Sequence, residues 1–261
     1  MNNNAGALTG KRILVVDDDE ISRLVAMEIL EGLGAEVVTA TGPAEALRLV
    51  PANAFDLIVL DLHMPEMCGT ELAAALEKLD ESLRENIVFL TARNTDDDVK
   101  TSEAAESPPI LTKPLDPRLI LDCFRDISPR TDWGPAQTNP SMTIDGIDFS
   151  AGIRNFMGQE HAFLSTLGMF PEYGRNFIEE YEGHLLTENR KECWRLAHSL
   201  KGSSAMIGAT GINALARNLE SICDSSDDFD IVRSAFKEIQ EKILALCDMI
   251  AERNLQTHSL E

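Results

Sequence analysis

Five short apolar runs, most closing on a polar residue and several leading into a helix-period segment, constrain the first half of this chain more tightly than any other feature. They read "RILVVD", "AEVVTA", "FDLIVLD", "NIVFLTA" and "PILTK". Strands this uniformly apolar and β-branched are buried on both faces, which calls for a parallel sheet with helices above and below it. Between the first two runs, Ile21, Leu24, Val25, Ile29 and Leu33 carry clear helical spacing. Five β/α units over residues 11–127 therefore predict a doubly wound α/β domain. In that architecture, functional groups gather outside the carboxyl ends of the strands.

The pattern then stops. Residues 128–142, "SPRTDWGPAQTNPSM", hold three prolines and a glycine without apolar periodicity and read as a linker. Residues 143–255 show no strand signal. They divide into "IDFSAGIRNFMG", "QEHAFLSTLGMFPEYGRNFIEEYEGHLL", "ENRKECWRLAHSLKGSSAMIG", "ATGINALARNLESIC" and "DDFDIVRSAFKEIQEKILALCDMIAERN", each of helical period. Long amphipathic helices on short connections favour antiparallel neighbours, so an all-α four-helix bundle is expected. Pro171, Gly174 and Gly183 are expected to kink or fray the second helix.

Charge narrows the partners. The net charge is −21, and the acidic excess is spread evenly, with 12 basic and 24 acidic residues up to position 130 against 11 and 20 beyond it. A surface without basic patches is a poor match for nucleic acid or for an anionic bilayer. Neither an apolar signal segment in "MNNNAGALTGKR" nor a membrane-length apolar run is present, and the five dispersed cysteines form no Cys-x-x-Cys pair. A soluble, cytoplasmic protein with reduced thiols is the expectation.

Read for chemistry, the strand ends converge. Asp17, Asp18 and Asp19 follow "ILVV", Asp61 follows "LIVL", Thr91 follows "VFL" and Lys113 follows "PILT". One edge of a parallel sheet would collect them as an acidic cleft with a hydroxyl and an ammonium on its rim. Clustered carboxylates raise one another's pKa unless a cation intervenes, and all-oxygen donors suit Mg2+. A lone strand-end Asp is usually a cap or a turn residue, and Asp19 and Glu20 read as first-turn acids.

With "VVDDD", "VLDLHMPEMCG", "LTA" and "LTKP", residues 11–127 resemble a response-regulator receiver domain. The resemblance implies a flavodoxin-like five-stranded sheet, Asp61 as phosphoacceptor, and Mg2+ held by Asp18, Asp61 and the backbone carbonyl of His63, with Asp17 acting through water. It also implies that Thr91 and Lys113 bind phosphoryl oxygens, that the Lys113–Pro114 bond is cis, and that His63 and Arg93 tune the lifetime of the phosphoryl group. The chain departs from the family at Ile110, where an aromatic residue is usual, and at "ESPP". Its fourth helix, "TDDDVKTSEAAE", has almost no apolar stripe and is expected to pack weakly.

In the second half, Cys193, Leu196, Ala197, Leu200, Ser204 and Ile207 form one core stripe of a helix, and His198 falls outside it. Lys201 and Gly202 stand one turn on, so an exposed imidazole beside a mobile ammonium and a bare backbone is expected. Most surface histidines do nothing. The frame "AHSLKGSSAMIGA", with "FLSTLGMF" before it and "LARNLE" after it, resembles the histidine phosphotransfer (HPt) domain. That resemblance implies that His198 carries a phosphoryl group with help from Lys201. His161, His184 and His258 lack this setting and read as surface residues.

Together the two resemblances imply a phosphorelay protein served by a sensor histidine kinase and a downstream response-regulator receiver. No Gly-x-x-x-x-Gly-Lys-Ser/Thr motif is present, so ATP is not expected to be used directly. Three other readings stay open. The first domain could regulate the second or drain its phosphoryl group, the protein could be a binding scaffold without turnover, or it could be a Mg2+-dependent aspartyl-phosphate phosphatase. The lack of a second Asp two residues after Asp61 counts against the last.

Overall fold

The computed structural model describes residues 6–91, 108–113, 115–124, 143–225 and 228–253. The expected fourth helix of the first domain, Arg93, Pro114, the linker 128–142 and His258 lie outside them. The chain divides into two compact units, Met1–Pro135 and Ala136–Glu261.

In the first unit the strands are β1 (Arg12–Val16), β2 (Glu36–Ala40), β3 (Leu57–Asp61), β4 (Ile87–Thr91) and β5 (Ile110–Thr112). They form one parallel sheet in the order β2-β1-β3-β4-β5. Helices α1 (Glu20–Gly32), α2 (Pro43–Leu49), α3 (Gly69–Leu79) and α4 (Pro117–Asp122) connect or follow them. The central strands β3 and β4 are buried at every position, as their unbroken apolar runs require. Winding reverses between β1 and β3, because β2 pairs on one side of β1 and β3 on the other. The crevice at that reversal is where this architecture places its site. Asp19 caps α1 through a hydrogen bond from Ser22 N at 2.8 Å, and Glu20 opens the first turn.

The second unit contains α5 (Phe149–Asn155), α6 (Glu160–Leu186), α7 (Arg190–Met206), α8 (Thr210–Ser225) and α9 (Phe229–Glu252). The four long helices close a bundle, with α6 packed on α7, α7 on α8, α8 on α9 and α9 on α6. The second helix does not fray at these residues. Helix α6 runs unbroken for 27 residues with Pro171 inside it. Phe163, Phe170, Phe177 and Tyr181 bury one face on both sides of the proline. At about 1.5–3 kcal/mol per buried side chain, that outweighs about 3 kcal/mol for an interior proline. Gly174 belongs to the same packing, since a Cβ there would lie 2.7 Å from Ile243 Cγ2 and 3.0 Å from Cys247 Sγ on α9.

Gly208 ends α7 with a φ of +73°, and its carbonyl accepts a hydrogen bond from Asp148 N at 2.8 Å. That bond ties the start of α5 to the turn between α7 and α8. All five cysteines are free. Among the described residues, no helix is long and apolar enough to cross a membrane.

Candidate functional site

The first cluster lies at the carboxyl edge of the sheet. Asp17 and Asp18 follow β1, Asp61 is the last residue of β3, Thr91 is the last of β4, and Lys113 follows β5. Carboxylate oxygens of Asp17, Asp18 and Asp61 lie within 4.8 Å of one another. The Lys113 ammonium sits 2.5 Å from Asp17 Oδ2, 3.1 Å from Asp61 Oδ2 and 3.4 Å from Ser22 Oγ. Asp17 Oδ1 accepts from Asp19 N at 2.9 Å, and Asp61 Oδ1 accepts from His63 N at 3.3 Å. Thr91 stands one residue beyond Leu90, which pairs with Asp61 across the sheet.

Lys113 and Thr91 do not lie on a rim, as the sequence suggested. The lysine side chain is 3% exposed and Thr91 is fully buried. Strand β5 continues its ladder through Lys113 N, which donates to Thr91 O at 2.6 Å, and this draws the lysine inward over the acids. Burial pushes the Asp17 carboxyl well above the usual carboxylate range, Lys113 opposes the rise and Asp61 adds to it. Burial alone would lower the Lys113 ammonium, but Asp17 and Asp61 hold it above its ordinary value. Asp17 and Asp61 share one ammonium, Asp18 stands beside them, and every ligand atom of the three is oxygen. Such a set fits a hard divalent cation.

The second cluster lies on α7 and α8. His198 Nδ1 is 2.7 Å from Glu220 Oε1, and Lys201 Nζ is 3.0 and 2.8 Å from the two Glu220 oxygens and 3.4 Å from His198 Nδ1. The indole of Trp194 stacks on the imidazole with centroids 5.1 Å apart and planes 23° from parallel. The expected outward imidazole and mobile ammonium are corrected here, because His198 is 1% exposed and Lys201 is 5% exposed. Both side chains turn toward a carboxylate on the neighbouring helix. Burial would raise the Glu220 carboxyl, but hydrogen bonds from His198 and Lys201 hold it down to about 2. By contrast, His161 is exposed, and His184 Nε2 lies 3.9 Å from Glu180 Oε1 on its own helix.

Glu220 and Trp194 were given no role in the sequence reading. The Glu220 signal was present: with Ile212, Ala216, Leu219 and Cys223 it occupies the buried face of α8, where an unpaired carboxylate would be costly. Trp194 precedes His198 by one turn and lies off the core stripe, a weaker signal. Ser22, whose hydroxyl reaches Lys113, was likewise unremarked.

Residues 13–125 match the response regulator receiver domain family, and residues 165–252 match the Hpt domain family. The sensory/regulatory protein RpfC of Xanthomonas campestris is 25% identical over 82% of this chain and 30% of its own length. The sensor histidine kinase AruS of Pseudomonas aeruginosa is 37% identical over 83% of this chain and 21% of its own. For the aerobic respiration control sensor protein ArcB of Escherichia coli the figures are 23%, 82% and 28%. The chain thus spans less than a third of the length of these relatives. A receiver fold with its acidic edge, an Hpt bundle with its buried histidine, and relatives matched across both place this chain among the two-component phosphorelay proteins, as a receiver domain followed by an Hpt domain.

Proposed function

We propose that Asp61 accepts a phosphoryl group from the phosphohistidine of a sensor histidine kinase, and that His198 passes a phosphoryl group to or from the aspartate of a partner receiver. The observation that carries this reading is the meeting of Asp61 Oδ2 and Lys113 Nζ at 3.1 Å, in a pocket built from three strand ends. An Asp61 oxygen attacks phosphorus, the O–P bond forms, the N–P bond breaks, and its electron pair returns to the partner imidazole. Lys113 and the Thr91 hydroxyl hold the phosphoryl oxygens in this reading, so negative charge meets fixed donors as it shifts. Asp17, Asp18, Asp61 and the His63 carbonyl are the groups that would hold Mg2+. When bound, that ion supplies positive charge against the phosphoryl oxygens.

At the second cluster, Glu220 keeps a proton on His198 Nδ1 in this reading, and the Nε2 lone pair, buried in the free chain, meets phosphorus once the docking receiver displaces what covers it. As the N–P bond forms, the ring becomes positive, and the Glu220 carboxylate offsets that charge. The departing aspartate takes the electron pair of the broken O–P bond. Lys201, already beside the ring, is placed to meet a phosphoryl oxygen.

Radiolabelled acetyl phosphate tests the first half. Label is expected on the wild-type chain with Mg2+, and none with EDTA or in Asp61→Asn. Label in Asp61→Asn equal to wild type removes Asp61 from its role. For the second half, a phosphorylated partner receiver is expected to label Asp61→Asn but not Asp61→Asn/His198→Gln, and equal labelling of both variants removes His198.

A further inference from the structure

Trp194 is a large aromatic residue outside the core stripe of α7, partly buried where a small side chain would serve the bundle core equally well. Side chains on a helix lean toward its N-terminus, and a residue four positions earlier meets the one that follows. His198 accordingly lies against the indole at 5.1 Å and 23°. Its Nδ1 is 2.7 Å from Glu220 Oε1. A single hydrogen bond fixes one in-plane direction of an imidazole but leaves the ring free to tilt about that bond. A stacked face removes the tilt. The two contacts together fix where the Nε2 lone pair points, and that pair must lie in line with the breaking O–P bond.

The indole face also carries the negative side of an aromatic quadrupole, which attracts a cation placed over it. On the proposed reading the His198 ring attacks phosphorus in its neutral form and is positive once Nε2 has bonded phosphorus with Nδ1 still protonated. Contact with Trp194 is therefore stronger in the phosphorylated state than in the free one.

We infer that Trp194 is a positioning residue for His198: it aims the Nε2 lone pair and stabilises the phosphorylated ring. This rests on the reading of His198 as the phosphotransfer residue. In it, Trp194 does not touch the reacting atoms, and it shifts both the rate of transfer and the division of phosphoryl groups between aspartate and histidine.

The test uses the full chain carrying Asp61→Asn, so that label can settle only on the second unit, with Trp194→Phe and Trp194→Leu placed on it. A phosphorylated partner receiver is the donor. Trp194→Leu keeps apolar bulk without a π face and is expected to shift the aspartate-to-histidine partition toward aspartate by roughly three- to tenfold, with slower transfer. Trp194→Phe is expected to recover most of both. Thermal unfolding of each variant identifies loss of folding, and Trp194→Phe carries the comparison if the leucine variant is unstable. A folded Trp194→Leu chain with wild-type partition and rate overturns the inference, as does a phenylalanine variant no better than a folded leucine one. Failure of the Trp194-containing chain itself to take label would instead overturn the reading of His198.

Discussion

Replacing Glu220 by Gln removes one charge and keeps the shape. The carboxyl is held at about 2 against an ordinary 4.5, so the fold favours its ionised form, on the order of 1–3 kcal/mol. Breaking a buried ion pair gives a similar figure by a separate route, because Lys201, 5% exposed, would lose its carboxylate. Because the folded-state pKa lies below the unfolded one, this stabilisation is complete above about pH 4.5 and is lost as pH falls toward 2. Urea unfolding followed by Trp194 fluorescence, with Trp133 changed to Phe, reads the second unit within the full chain. At pH 7, Glu220→Gln is expected to lower the urea midpoint by about 1–2 M. Between pH 5 and 2 the gap should narrow steadily, since the unfolded chain takes up the Glu220 proton first and the folded chain only near pH 2. A constant gap across that range, or none at pH 7, would refute the electrostatic account of this cluster.

Other outcomes follow from the same geometry. A Cβ on Gly69 would fall 2.3 Å from Asp61 O and 3.0 Å from Leu62 Cα, both backbone atoms that cannot yield cheaply. Gly69→Ala should therefore displace the segment bearing Asp61 and slow acetyl phosphate labelling by up to about 100-fold, and labelling at the wild-type rate would contradict this. Burial pushes the Cys193 and Cys247 thiols up to about 11 each and raises Cys223 as well. An aromatic disulfide reagent at pH 8 should modify the partly exposed Cys68 first, Cys123 more slowly because burial raises its thiol as well, and the other three only on unfolding. Rapid modification of Cys193 in the native chain would show that the core around Tyr181 opens.

Much of the first site was legible because a parallel sheet converts sequence order into spatial order. Four apolar runs that end in Asp, Asp, Thr and Thr-Lys must deliver those residues to one edge, whatever the details of the loops. Depth within that edge could not be read so directly. Lys113 at a strand end looks like a surface lysine until the ladder from Thr91 O to Lys113 N turns it inward over two acids. The unbroken α6 makes the same point for helices: Pro171 is a local instruction, and the aromatic residues on both sides of it outweigh that instruction only once α9 is packed against them.

The second site was harder to read because its decisive partner comes from another helix. A periodicity argument assigns His198 to a face by angle alone, and off the core stripe was equated with exposed. In a four-helix bundle that inference is unsafe, since each long helix has two neighbours, and a residue off the central stripe can still lie in the seam between two of them. His198 lies in the seam with α8, and Glu220 is the residue that meets it there. The rule that would have found the pair is a charge rule. A carboxylate on the buried face of an amphipathic helix must have a cation or a donor opposite, and in this bundle the off-stripe His198 and Lys201 are suitable groups. On that argument the two halves of the chain use the same device: each holds its proposed phosphoryl carrier in place with a buried ion pair. Removing either ion pair should disturb phosphotransfer at its own site before it disturbs the fold of the other.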